Sequence, residues 1–159
     1  MDALVQKGYA EPAPAEKTPN RTWYLPHFVV INPMKPDKLR VVRDAAARTS
    51  GVSLNDMLLK GPDLLQSLRG VVMRFRQHTI AVTADIKEMF MQVKLRPQDR
   101  DALRYLWKND RRDDHTPEEY RMTSLIFSAS CLPSTAIYVK DLNAKEHECE
   151  FTTIVESRR

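Results

Sequence analysis

The sequence predicts an α+β chain, and three observations carry that expectation. Short β-branched and aromatic runs recur between turn residues, and one apolar stripe falls at helical spacing over 64–75. The 159 residues suffice for one core and not for two full ones. At 42% hydrophobic and 29% charged, the composition is that of a globular, soluble chain rather than a wholly disordered one. No stretch approaches ~18 consecutive apolar residues, so no membrane span is expected. MDALVQKGYAEPAPAEK has no basic start followed by an apolar run, which argues against a secretory leader. Cys131 and Cys149 form neither a CxxC pair nor a disulfide framework, so the default compartment is reducing and intracellular.

Taken in order, residues 1–20 are Pro- and Ala-rich without apolar period and read as a disordered tail or linker remnant. Order is expected from residue 21 onward. WYLPHFVVIN supplies strand-forming residues around Pro26, which limits the segment to an edge or bent strand. After the turn NPMKPDK, LRVVRD (39–44) reads as a second short strand. A helix is expected after Gly61, with Pro62 in its first turn and Leu64, Leu65, Leu68, Val71, Val72 and Phe75 packed inward. TIAVTADI (79–86) reads as a buried strand ending on Asp85, ALRYLW and YRMTSLIF as two further strands, and KNDRRDDHTPEE as a charged loop. Pro133 opens a last helix through STAIYVKDLNAKE.

Charge is unevenly spread. Residues 35–112 hold seventeen bases against nine acids, whereas residues 113–159 hold five against nine. A basic block of this kind suits a polyanion, because Lys and Arg gain by displacing counterions from phosphates.

Asp85 is the leading chemical candidate. A carboxylate closing a buried strand is costly unless paired, solvated or bound to a cation, and Mg²⁺ favours such hard oxygen donors. The competing reading is an Asp that caps the following turn. The pair Asp113-Asp114 sits in an all-polar context and reads as solvated loop. The four histidines show no zinc spacing, the glycines no phosphate-loop pattern, and Cys131 reads as a small buried hydrophobe.

Three strings occur in order: YLPHFVVINPMKPDKLRVVRDAAA, SLNDMLLKGPDLLQSLRGVVMRFRQ and TADIKEMFMQVKLRPQDRDALRYLW. Together they resemble the reverse transcriptase of BEL/Pao-type LTR retrotransposons, from about Trp23 to about Lys145. The resemblance implies a fingers segment and the first part of a palm over residues 21–159, with an antiparallel sheet packed with helices. It implies that Arg40 and Lys35 lie on the triphosphate of the incoming nucleotide. Asp85 matches the metal-binding carboxylate, and the backbone carbonyl of Ile86 matches the second metal contact. Phe90 matches the aromatic that excludes a 2′-hydroxyl, which a ring does by filling its space and offering it no hydrogen bond.

The implied activity is RNA-directed DNA polymerisation with Mg²⁺ or Mn²⁺, on an RNA template, a DNA primer and dNTPs. The implied setting is the cytoplasmic virus-like particle of the parent element, without a membrane partner. The second palm motif matches LIFSASCLPSTAIY, with Phe127, Ala129, Pro133, Ala136 and Tyr138 in place, but is altered. Ser128 stands where glycine is expected, and Leu132 replaces the serine before Pro133. The third motif, Tyr-X-Asp-Asp, does not occur, and the sequence closes on FTTIVESRR. Two-metal phosphoryl transfer needs several carboxylates, so these residues alone are expected to be a truncated, inactive polymerase that binds metal weakly or not at all. The alternative is a non-enzymatic nucleic-acid-binding or interaction module retained from such a domain. An unpaired 79–86 strand would favour self-association or a partner supplying the rest of the palm, with residues 23–95 better protected than 110–159.

Overall fold

A computed structural model describes residues 2–108 and 116–147. The elements are α1 (Asp2–Gln6), β1 (Ala10–Pro12), β2 (His27–Asn32), β3 (Lys35–Arg43), β4 (Arg48–Thr49), β5 (Val52–Ser53), α2 (Leu54–Met57), α3 (Leu68–Phe75), α4 (Met89–Gln92), a 3₁₀ turn (Pro97–Leu103), β6 (Arg104–Trp107), β7 (Glu118–Met122) and α5 (Leu132–Glu146). Helices and antiparallel sheets are both present, and the chain is α+β.

The central layer is the antiparallel sheet β1-β7-β6, with Ala10 opposite Met122 and Tyr105 opposite Tyr120. Its hydrogen bonding continues past the strands. Leu25 N–H donates to the Arg104 carbonyl at 2.8 Å, and Leu95 N–H donates to that of Thr123 at 2.8 Å. Tyr9, Leu25, Leu103, Tyr105, Met122 and Ile126 fill the core under this sheet. β2 and β3 form a separate hairpin whose root, the pair His27 and Arg43, packs on the aromatic rings of β6. α5 opens with Pro133 in its first turn, as its sequence predicts, and buries Leu132 and Ala136.

Inside the sheet lies a polar lock. The Arg104 guanidinium, fully buried, donates to Asp101 at 3.0–3.1 Å, to Glu119 at 3.0 Å and to the Glu16 carbonyl at 2.8 Å. Arg121 donates to Asp101 at 2.9 Å and Glu11 at 2.7 Å, and Arg100 reaches Glu11 at 3.1 Å. Thr18 closes the far side of Asp101 through its backbone N–H and its hydroxyl, at 3.0 and 2.7 Å. Burial raises the Asp101 pKa, but the donors from Thr18, Arg121 and Arg104 outweigh it and hold the carboxyl well below its ordinary value.

Three expectations are corrected here. The segment expected to be a tail supplies α1 and β1, buries Tyr9 and Ala10, and is fastened by the lock through Glu11, Glu16 and Thr18. Its alanines and prolines hid these three anchors, which carry no periodic signal.

The helix expected from Pro62 begins only at Leu68 and buries nothing. Leu68, Val71, Val72 and Phe75 are exposed. Residues 61–67 instead run irregularly from Gly61, whose positive φ and close approach to Ser134 exclude a Cβ.

TIAVTADI is not a strand. Residues 80–86 are irregular and exposed, because no neighbouring backbone completes a ladder with them. The expected edge strand for self-association is therefore absent at 79–86.

Burial is uneven along the chain. Residues 122–126 are buried, and within 23–95 Leu25, Ala45 and Leu54 are buried as well, whereas 59–63 and 75–88 are exposed. Of the charged loop expected at 108–119, residues 109–115 with Asp113 and Asp114 lie outside the described residues, as does Cys149, and Glu118 and Glu119 open β7 instead.

Candidate nucleic-acid interface

The residues singled out by sequence occupy two places. Lys35 and Arg40 both belong to β3, where Lys35 stands opposite Asn32 and Arg40 opposite Val30. Arg40 is exposed, and among the described residues no ion pair engages it. Strand pairing fixes its position, because Ile31–Leu39 and Val29–Val41 hold the register on either side.

Asp85, Ile86 and Phe90 belong to the other place, and TADIKEMF is split there. Its first half is the exposed irregular stretch, and no hydrogen bond or ion pair of the described residues engages Asp85. Ile86 is half exposed. Its second half is firmly held. Glu88 adopts a left-handed backbone, φ 53°, and accepts from Lys7 at 2.6 Å and from the Tyr9 hydroxyl at 2.9 Å. Those two donors keep the Glu88 carboxyl below its ordinary pKa. Lys94 then donates to the Gly8 carbonyl at 2.8 Å.

The turn of α4 presents the Phe90 ring edge-on to Phe127, with centroids 5.5 Å apart. The two motifs that the resemblance picked out thus touch through their aromatics, and Phe127 is largely exposed.

Among the described residues no group of three or more His, Cys, Asp or Glu is arranged to hold a metal ion. A two-metal centre needs several carboxylates, and of the two groups the resemblance assigns to metal only Asp85 supplies one.

Part of the basic block is internal. Arg43, Arg100 and Arg104 serve the interior, whereas Arg40 on the hairpin, Arg69 in α3 and Arg76 at its end, with Lys60, Lys87, Arg96 and Lys108, are among the exposed cations. At the hairpin root the Arg43 guanidinium lies 4.3 Å from the Tyr105 ring centre, and its Nε has no hydrogen-bond partner. His27 stacks on Trp107 at 5.4 Å. Burial, with the Arg43 charge beside it, lowers the His27 pKa.

Ser128, the residue expected to be glycine, has a structural task that sequence reading missed. Its hydroxyl donates to the Arg43 carbonyl and accepts from Ala45 N–H at 3.0 Å, while its carbonyl accepts from Asn55 at 3.0 Å. It ties the end of β3 to the loop before α5. A serine beside a buried Ile126 was the available signal, and it was indistinct without the tertiary partner.

An apolar cavity of about 490 Å³ lies between Trp23, Leu54, Leu58, Leu103 and Leu125, with the Arg21–Asp99 ion pair at its rim. None of the sequence-predicted site residues lines it. No described helix is long and apolar enough to cross a membrane. No family model matches the chain, and no curated protein matches it.

Proposed function

We propose that residues 21–159 derive from the fingers and first palm segment of a BEL/Pao-type reverse transcriptase, and that by themselves they bind nucleic acid without polymerising it. The observation that carries the reading is the ordered set of strings ending in TADIKEMF, with Asp85 and Phe90 five residues apart. Two geometric facts support it. Arg40 projects from a well-registered hairpin, as a phosphate contact on a fingers strand would, and the Phe90 and Phe127 rings meet. The parent activity is RNA-directed DNA polymerisation with Mg²⁺ or Mn²⁺ on RNA template, DNA primer and dNTP. Lys35 and Arg40 would face the triphosphate, Phe90 the sugar, and Asp85 with the Ile86 carbonyl a metal.

A second reading has its own observation. Exposed cations, Arg40 on β3 with Arg69 and Arg76 at α3, suit a non-catalytic polyanion-binding module whatever its ancestry.

Primer extension on a homopolymer template with dNTPs and Mg²⁺ or Mn²⁺ tests the first reading, and no incorporation is expected. Incorporation that Asp85→Ala abolishes overturns the non-catalytic assignment. Binding of a labelled RNA–DNA duplex is expected to ignore sequence and to fall steeply with salt. Arg40→Glu is expected to weaken dNTP competition more than duplex binding. Strong sequence preference, or equal loss of both, favours the dedicated module.

A further inference from the structure

The two strands of the hairpin guard their outer edges unequally. β3 includes Lys35, Pro36, Asp37, Lys38 and Arg40, the charges and proline by which edge strands resist pairing with another chain. β2 reads His27-Phe28-Val29-Val30-Ile31-Asn32 and contains neither a charged residue nor a proline. Its one described strand neighbour is β3. Among the described residues, no backbone hydrogen bond outside that ladder reaches residues 28–31. Apolar side chains stand open on both faces. Val29 and Ile31 lie on one, Phe28 and Val30 on the other, with Phe28 51% and Ile31 57% exposed.

We infer that β2 is a homodimerisation edge, at which two copies of this chain pair β2 to β2, antiparallel, across a two-fold axis at Val29. Charge selects a second copy in this arrangement. Pairing through β3 would set basic residues of like charge opposite one another, which is unfavourable. Pairing through β2 brings the uncharged strands to the centre of a four-stranded sheet and leaves the basic strands outermost. Three strand spacings then separate the two β3 strands by about 14 Å, beyond the ~8 Å screening length at physiological salt.

The contact is also self-limiting. A two-fold pairing uses the same edge of both copies and closes at two, whereas β2 against β3 would propagate without end. With the axis at Val29, that residue meets its own counterpart, and Phe28 meets Val30 of the second copy, an aromatic–β-branched pair of the kind that stabilises sheets. This inference is independent of the nucleic-acid reading.

Sedimentation velocity on the full chain over a range of concentrations provides the test. A monomer–dimer equilibrium with nothing larger is expected. Val29→Lys and Val29→Glu are each expected to weaken dimerisation by about tenfold or more, because each sets two like charges face to face at the axis. An equimolar mixture of the two variants is expected to restore the dimer, which also shows that neither variant has lost its hairpin. Val41→Lys, on β3 across from Val29, is expected to dimerise as the parent does. A monomer at all concentrations, growth beyond two copies, failure of the mixture to recover, or a loss in Val41→Lys equal to that in Val29→Lys overturns the inference.

Discussion

The sheet β1-β7-β6 and the stretch 59–88 divide the chain between two kinds of order. In the first, an arginine and an aspartate are buried, Arg104 completely and Asp101 to 2% exposure. In the second, Leu59, Ile80 and Val82 stand more than four-fifths exposed. Hydropathy alone would assign these positions the other way round. Burial here follows tertiary partners rather than hydropathy. The three-stranded sheet and the turn before β6 bring even charged side chains indoors because partners meet them, while the paired strand β2 still leaves Phe28 and Ile31 open. An apolar run without a ladder or a partner helix stays in water.

The largest test of this contrast is Arg104→Ala. It leaves Asp101 buried beside a lost donor, and unfolding stability is expected to fall by ~3–5 kcal/mol in a denaturant melt. An effect below 1 kcal/mol would mean that the lock contributes little and that the apolar core carries the sheet.

Acid acts on the same lock. Because the folded Asp101 pKa lies below the ordinary carboxylate value, its stabilisation is complete above that value and drains away as pH falls below about 4. A pH series of melts is expected to lose this slope in Asp101→Asn.

Ser128→Ala strips one hydroxyl that satisfies both the Arg43 carbonyl and the Ala45 N–H. A loss of about 1–3 kcal/mol is expected, together with faster hydrogen exchange at the end of β3. Unchanged exchange there would detach Ser128 from the hairpin.

At the hairpin root, His27 has a folded pKa below its ordinary value. Its contribution is full above about 6.5 and declines as pH falls through that value, since the unfolded chain then binds the proton first. Protection factors of β3 amides, corrected for the intrinsic exchange rate at each pH, are expected to fall between neutral and mildly acidic pH, and His27→Phe to flatten that response.

The smallest effect belongs to the other region. Leu68→Ala on α3 is expected to change stability by no more than about 0.5 kcal/mol, and amides of 59–88 to exchange faster than those of β7. A core-sized loss at Leu68 would show that α3 is covered in solution.

Much of the local structure was legible from residue order. The β2 and β3 strands, the strand ending at Trp107, the strand through Met122 and the helix after Cys131 follow from alternation, turn residues and Pro133, all of them short-range signals. The candidate site was legible only in part. The pattern around Asp85 and Phe90 is where the resemblance points, and strand register places Arg40. Whether Asp85 would sit on a strand depended on a pairing partner that TIAVTADI itself does not specify.

What the sequence alone determined was the α+β class, the hairpin, the last helix and an excess of basic residues in the middle of the chain. Tertiary structure decided which of those bases face water and which are locked indoors by Asp101, Glu119 and Glu11. It also decided that Tyr9 and Ala10 belong to the core, that Ser128 is a fastening, and that the apolar stripe of α3 has no described cover. The reason is one of range. Periodicity and turn chemistry act over a few residues, whereas burial and ion pairing depend on partners such as Thr18 and Asp101 that only the folded chain brings together.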